Sequence, residues 1–153
     1  MSEMIIRNAQ EKDVKSMAEL DLICFADPWS EESFRNEILS NERAFYIVAE
    51  IDGEVVGYAG LWAILDEGHI TNVAVSPAYR RKGIGKAIVG TLVEVAEENG
   101  LNSFTLEVRE SNLPAQGLYE QFGFKPAGIR KGYYLDNGEN AIIMWRTKEE
   151  NCI

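Results

Sequence analysis

The sequence predicts an α/β protein (an α+β mixed sheet) in which one central sheet carries helices on both faces. Three observations indicate this class. The predicted elements follow the order β α α β β β α β α β β. Two predicted strands, residues 71–75 and 103–109, each lead into a helix, as parallel neighbours usually do. Two turn sequences, Asp52-Gly53 and Asp136-Asn137-Gly138, are typical of antiparallel hairpins.

A strand and two helices are predicted for the first forty residues. Residues 4–8 favour a strand, and residues 12–25 have the apolar spacing of an amphipathic helix. Its inward-facing residues are expected to be Val14, Met17, Ala18 and Leu22. Asp27-Pro28-Trp29 ends this helix, and Ser30 is placed to cap the next one. The core-facing residues of that second helix are expected to be Phe34, Ile38 and Leu39.

Three strands and a long helix follow. Residues 45–51 and 55–65 flank the first hairpin turn, and residues 67–76 form the next strand. The long helix is expected over residues 83–99, because Gly100 is a natural C-terminal stop.

The last third is predicted to form a strand, a short helix and a closing hairpin. Residues 103–109 alternate apolar and polar side chains, as a strand does. Asn112 is placed to cap a helix that ends near residue 123. Residues 124–134 and 141–147 flank the second hairpin turn. We expect one domain over residues 1–147, since 153 residues can bury a single core, and a polar tail at 148–153.

Composition restricts the function classes. The formal net charge of −10 argues against direct nucleic-acid binding, which needs a basic face. The acidity either steers a basic protein substrate or only keeps the surface soluble. Cys24 and Cys152 form no disulfide framework, and Cys24 is expected to be a small core residue. With no signal peptide and no apolar run long enough to span a bilayer, we expect a cytoplasmic protein without membrane contact.

A basic, glycine-containing loop precedes the long helix. The first-turn amides of a helix are free donors, and the helix dipole favours an anion there. A glycine lets the backbone approach a phosphate closely. The loop lacks the G-x-G-x-x-G and G-x-x-x-x-G-K-[ST] patterns of other phosphate sites. The residues predicted to bind a phosphate or pyrophosphate are Arg80, Arg81, Lys82, Gly83, Ile84, Gly85 and Lys86.

The hexamer R-x-x-G-x-G at residues 80–85 resembles the acetyl-CoA loop of the GNAT N-acetyltransferases, which reads [QR]-x-x-G-x-[AG]. The resemblance implies the GNAT acyl-CoA N-acyltransferase fold, acetyl-CoA as co-substrate and no metal. If the strands at 71–75 and 103–109 splay apart at their C-terminal ends, a pantetheine arm can pair with the exposed backbone. By resemblance this role falls to Val73, Ala74 and Val75.

Acetyl transfer to an amine needs a base and an acid. Glu107 is a candidate base, because a parallel strand is normally covered on both faces and a carboxylate there lies at a cleft or at the end of the ladder. Alternatively, it faces solvent and pairs with Arg109 or another cation. Tyr119 is a candidate acid for the departing thiolate. Alternatively, it is a core tyrosine of the short helix.

The run at residues 106–124, LEVRESNLPAQGLYEQFGF, resembles that of the bacterial ribosomal-protein-alanine N-acetyltransferases (the RimI type). The likeness extends from the first predicted strand to the last. It implies that Glu107 is the general base, that Tyr119 is the general acid and that Asn112 holds the pantetheine region. The acceptor implied is the N-terminal alanine of a small-subunit ribosomal protein.

An acceptor groove is expected around the residues Phe25, Pro28, Trp29, His69, Tyr133 and Tyr134. The resemblance implies this for the aromatic residues, whereas ordinary loop packing is the alternative, above all for Trp29. His69 could be a second base, hold a water or be a structural strand residue.

Two other functions remain open at this level. One is a GNAT enzyme with another acceptor, either other protein N-termini or a small amine, and the other is a non-catalytic acetyl-CoA-binding module. We expect a monomer or a weak homodimer.

Overall fold

The computed structural model describes residues 3–147. The predicted tail at 148–153, with Cys152, lies outside the described residues. Within them the predicted order of helices and strands is confirmed. The elements are β1 (Met4–Asn8), α1 (Val14–Cys24), α2 (Glu31–Leu39), β2 (Ala44–Ile51), β3 (Glu54–Ile64), β4 (Glu67–Val75), α3 (Ile84–Glu98), β5 (Ser103–Arg109), α4 (Leu113–Gln121), β6 (Lys125–Arg130) and β7 (Ala141–Thr147). Short 3-10 turns precede α1 and follow β4.

The strands form one seven-stranded mixed sheet in the order β1-β2-β3-β4-β5-β7-β6. The pair β4–β5 is parallel, and the other neighbouring pairs are antiparallel. The predicted fold class is therefore confirmed. No helix among residues 3–147 is both long and apolar enough to cross a membrane.

Turn and cap residues act as the sequence predicted. The Ser30 hydroxyl accepts a hydrogen bond from the Ser33 amide at the start of α2, and the Asn112 side chain accepts one from the Ala115 amide at the start of α4. Asp52 and Gly53 have positive φ values of 51° and 79°. Two successive left-handed residues match the right-handed twist of a two-residue hairpin, which fixes the register of β2 and β3.

Each face of the sheet has its own core. The face covered by α1 and α2 contains an aromatic cluster in which Phe34, Tyr46 and Tyr58 contact one another. The face covered by α3 and α4 is mainly aliphatic, around Ile88 and Leu92. We call these the aromatic face and the aliphatic face.

Strand β4 contains an extra residue relative to β3. Gly60 pairs with Asn72, the next residue Leu61 pairs with Ile70, and Thr71 is left between them. A bulge of this kind bends a strand and increases its twist. Thr71 and Asn72 both reach the aromatic face, where they hydrogen-bond Tyr46 and Tyr58. The bulged residue, Thr71, lies two positions after His69, which is the last residue of β4 that pairs with β5, so the strands separate next to the bulge.

Four expectations from the sequence were wrong in detail. Leu22 and Leu39 are 70% and 56% exposed rather than facing the core. In α1 the buried position is taken by Asp21, one residue earlier, because its carboxylate bonds groups beneath the helix. Cys24 is only half-buried: it packs against the aromatic core from its edge, with its sulfur 3.6 Å from the Val75 carbonyl oxygen. Strand β6 ends at Arg130, before the tyrosines that were predicted within it.

Candidate active site

Strands β4 and β5 diverge partway along their length, which meets the condition stated above for a pantetheine site. They pair at Glu67–Ser103, Gly68–Phe104 and His69–Thr105, after which the parallel pairing stops. On its other edge β4 remains paired with β3 as far as Val75. A gap therefore opens toward the C-terminal ends of both strands. The facing backbone groups along this gap are available to an extended molecule that carries amides.

Three residues of β4 predicted to bind pantetheine line this gap. The side chain of Ala74 is buried on the aromatic face, whereas Val73 and Val75 pack against the aliphatic core. Their side chains therefore hold the strand in place. The groups of β4 that a ligand could bind are therefore its backbone N–H and C=O groups.

The basic loop leads from the end of β4 into α3. Arg81 and Gly83 have positive φ values of 65° and 80°, and Gly83 is the N-cap residue without a capping side chain. The amides of residues 81–86 donate no hydrogen bond to the rest of the described chain, whereas the Ala87 amide bonds the Gly83 carbonyl. Ile84 is buried in the core, so only its backbone is offered. This loop therefore presents free amides at a helix N-terminus, which suits a diphosphate.

The cations of the loop have different roles. The Arg80 side chain turns back, with its Nε donating to the Val75 carbonyl at 3.1 Å and Nη2 lying 3.5 Å from the Cys24 sulfur. It therefore anchors the loop to the end of β4. Lys82 lies over the Tyr79 ring at 5.3 Å. Lys86 is exposed on the first turn of α3, where its charge favours a bound anion.

Glu107 projects from β5 on the side opposite to the buried Leu106 and Val108. Its side chain is 31% exposed, and its Oε1 accepts a hydrogen bond from Arg130 Nε at 3.2 Å. The sequence left open that Glu107 pairs with Arg109 or another cation. In the structure its partner is Arg130. A half-exposed carboxylate beside the strand gap remains accessible to water and to an incoming amine.

Tyr119 lies on the other side of β5. It is 8% exposed and packs in the aliphatic core, with its ring centroid 5.8 Å from that of Phe124. Burial raises the pKa of Tyr119, and a further rise comes from nearby Tyr134. No hydrogen bond joins its hydroxyl to another residue among residues 3–147.

Glu107 and Tyr119 thus flank β5 from opposite faces. An object within the plane of the sheet, in the gap beside β5, is accessible from both. The charge of Tyr134 interacts with both Glu107 and Tyr119. Burial raises the pKa of Tyr134 to about 12, Arg109 opposes this rise, and Glu107 adds to it. Glu107 and Tyr119 are not in direct contact with each other. A molecule bound in the gap would lie between them and give them a common reaction centre.

Arg109, which was not among the predicted site residues, fixes the segment between β6 and β7. Its guanidinium lies 4.0 Å above the Tyr134 ring and donates to both Asp136 carboxylate oxygens at 2.9 and 3.0 Å. It also approaches Glu139 at 3.3 Å. The sequence carried no direct signal for this clamp, because Arg109 ends β5 whereas its partners all lie in the later segment between β6 and β7.

The predicted acceptor residues fall into two groups. Tyr133 and Tyr134 contact each other edge to face at 5.1 Å on the segment held by Arg109. Phe25 and Pro28 lie in the α1–α2 loop, Phe25 being 37% exposed. The ring of Trp29 packs on Phe34 at 5.5 Å, which supports the packing alternative for this side chain.

His69 and Asn112 also have structural partners. His69 bonds Glu67 at 3.2 Å and faces Trp145 edge to face, within the paired part of β4. It is the last residue of β4 that pairs with β5, directly before the gap. The Asn112 side chain caps α4, so its helix begins beside the end of β5.

The chain is similar to known proteins over most of its length. Residues 14–124 match the model of the Acetyltransferase (GNAT) family. A Bacillus subtilis protein, provisionally named a [ribosomal protein bS18]-alanine N-acetyltransferase, is 45% identical over 145 residues, covering 95% of this chain and 96% of its own. The Escherichia coli K12 protein named [ribosomal protein bS18]-alanine N-acetyltransferase is 36% identical over 141 residues, covering 91% and 94%.

A solved structure shares the whole architecture. The crystal structure of the ribosomal-protein-S18-alanine N-acetyltransferase from Escherichia coli superposes with a TM-score of 0.88 at 33% identity, covering 99% of both chains.

Proposed function

This chain belongs to the acetyltransferase (GNAT) family and is an N-acetyltransferase, and from that premise we propose that it acetylates the α-amino group of a protein N-terminus. The acceptor we propose is the N-terminal alanine of a small-subunit ribosomal protein, in the cytoplasm, with acetyl-CoA as the donor. The names of the two relatives above, which match over nearly their whole length, support this acceptor.

One observation carries the proposal: the gap between β4 and β5 continues into a loop of free amides. The loop at residues 81–86 suits the diphosphate of CoA, and the open backbone edge of β4 suits its amide-bearing arm. When bound, acetyl-CoA supplies the activated acetyl group. Residues of this chain then have to orient it, polarise its carbonyl and move two protons.

Backbone amides of β4 are suited to polarise the thioester carbonyl. They lie along the open edge of the gap in a strand fixed by β3, so they need no rearrangement to donate to an oxygen that gains negative charge. Asn112 contributes by fixing the start of α4, which sets the depth of Tyr119 beside the gap.

Glu107 removes the proton from the acceptor amine, directly or through a water. An α-amino group has a pKa of about 7.7–8.0, against about 10.4 for a lysine side chain. A carboxylate therefore deprotonates a protein N-terminus far more readily than a lysine, which favours the N-terminal acceptor. The ion pair with Arg130 holds the carboxylate in place beside the gap.

Tyr119 acts as the proton donor to the departing sulfur. Its raised pKa keeps the phenol protonated at neutral pH, and its oxygen has no competing hydrogen-bond acceptor among the described residues. Tyr133 and Tyr134, held by Arg109, form one wall of the acceptor groove, and the α1–α2 loop forms the other.

The test is an acetylation assay on short peptides that differ only in their first residue, with an N-terminally blocked peptide containing lysine as control. We expect the highest kcat/KM for the alanine peptide and no turnover of the blocked one. Equal rates for every first residue would replace the alanine acceptor with a broad N-terminal one. Preferential acetylation of the blocked peptide would contradict an α-amino acceptor.

A further inference from the structure

Asp21 is a buried carboxylate that the proposed chemistry does not use. It lies on the inner side of α1 with no exposed surface, among the residues of the aromatic face. Asp13 is the other buried carboxylate of residues 3–147, and its charge is matched by Arg7 at 2.8 Å. Asp21 has no such cation: burial raises its pKa, against the opposing effects of its hydrogen bonds.

Both oxygens of Asp21 are bound by groups from other elements. Oδ2 accepts a hydrogen bond from the Trp29 amide at 3.0 Å, and Oδ1 accepts one from the Tyr58 hydroxyl on β3. The Tyr58 oxygen in turn accepts a hydrogen bond from Asn72 Nδ2 at 3.1 Å. A single carboxylate therefore connects the α1–α2 loop, through Tyr58, to the bulge of β4.

The two ends of this chain of hydrogen bonds lie at the two places that the proposed function assigns to the acceptor and to acetyl-CoA. The Trp29 amide belongs to the loop of residues 25–30, which forms one wall of the acceptor groove. Asn72 belongs to the bulge at which β4 leaves β5 and the gap begins. A shift of either end changes the distance between the acceptor amine and the thioester. Burying a carboxylate is costly unless its hydrogen bonds are made, so only one arrangement of loop and bulge is favourable.

We propose that Asp21 is a positioning residue that holds the acceptor loop and the bulge of β4 in one fixed arrangement through Trp29, Tyr58 and Asn72. The inference rests on the proposed function, because it takes residues 25–30 as acceptor-binding and the gap as the acetyl-CoA site. Asp21 touches neither reactant, and its effect passes through the groups it bonds.

Steady-state kinetics on the alanine peptide test this with Asp21→Asn, Tyr58→Phe and the double variant. We expect the KM for the peptide to rise about tenfold in each single variant, the size typical of losing a hydrogen bond to a charged group, with kcat within about threefold. Since both substitutions break one network, the double variant should be no worse than Asp21→Asn alone.

Asp13→Asn is the matched control. It changes the same kind of side chain, equally buried and in the same part of the chain, but its partners are Arg7 and the Gln10 amide. We expect it to lower Tm while leaving the KM unchanged. The proposal is overturned if Asp21→Asn leaves the KM within twofold of wild type, or if Asp13→Asn raises it as much. If Asp21→Asn does not fold, Tyr58→Phe, which keeps the ring, decides the question.

Hydrogen exchange separates this inference from the proposed function. If wild-type protein binds acetyl-CoA but acetylates none of the peptides, the proposed acceptor is wrong and exchange rates decide the role of Asp21. In Asp21→Asn, amides in residues 25–30 and 70–75 should both exchange about tenfold faster, and in Asp13→Asn neither should. If the exchange rate rises in only one of the segments 25–30 and 70–75, or in neither, Asp21 does not couple the two segments.

Discussion

Glu107 is the residue whose surroundings most directly suit a base, since it is half-exposed and fixed by Arg130 beside the gap. Glu107→Gln removes the proton acceptor while keeping the shape of the side chain. We expect turnover to fall about 10²–10⁴-fold with the Kd for acetyl-CoA little changed, measured by peptide kinetics and calorimetry. Glu94→Gln, an equal charge change on the exposed side of α3, is the control. Wild-type turnover in Glu107→Gln would refute the base assignment.

A substitution at Tyr119 can separate an effect on stability from an effect on catalysis. Its hydroxyl makes no hydrogen bond to a described residue, whereas its ring packs in the aliphatic core. Tyr119→Phe keeps the ring, so we expect Tm to stay within about 2 °C while turnover falls about 10²-fold. Thermal melting and turnover per folded molecule check this. A protein that melts early, with unchanged turnover per folded molecule, would make Tyr119 a structural residue only.

At the scale of single elements, the loop before α3 depends on one backbone conformation. Gly83 has φ of 80°, where an alanine costs about 1–2 kcal/mol, while a Cβ at Gly85 would meet Leu118 and Val75 at ordinary distances of 3.6 and 3.7 Å. We expect Gly83→Ala to weaken acetyl-CoA binding about tenfold and Gly85→Ala to leave it within about twofold, by calorimetry. The reverse order would place the diphosphate elsewhere.

Glu139, in the segment between β6 and β7, is expected to make the stability of the protein depend on pH. Hydrogen bonds from Ser111 lower the pKa of Glu139 to about 2, with Arg109 adding to the effect. A carboxyl with a lowered folded-state pKa stabilises the protein above its unfolded pKa and loses this effect as pH falls through the folded value. The Tm difference between wild type and Glu139→Gln should therefore be largest above pH about 4.5 and shrink toward pH about 2. A difference independent of pH would contradict this assignment.

At the scale of the whole molecule, the net charge of −10 predicts how acceptors arrive. If the field steers basic N-terminal segments, kcat/KM for a peptide with cationic residues beyond its alanine should fall as salt rises, because added ions screen the attraction. A neutral peptide of equal length should show little change. Equal salt dependence for both peptides would mean that the acidic surface only keeps the protein soluble.

Much of the fold could be predicted from local patterns. Asp52-Gly53, Ser30 and Asn112 each act through neighbours in sequence, so their turn and caps follow from residue type. The prediction that Leu22 faces the core was wrong, because apolar periodicity does not show which side of α1 has hydrogen-bond donors beneath it. The buried side was decided by Asp21 and its distant partner Tyr58 on β3.

The sequence by itself determined the order of elements, the glycine-containing loop at a helix start and the types of residue that the chemistry needs. Only the tertiary structure decided that Glu107 and Tyr119 flank β5 from opposite faces, and that β4 and β5 separate close to the bulge of β4. The physical reason is range: caps, turns and amphipathic periods depend on contacts a few residues apart, whereas the gap, the Arg109 clamp and the Asp21 network join groups from separate strands and loops.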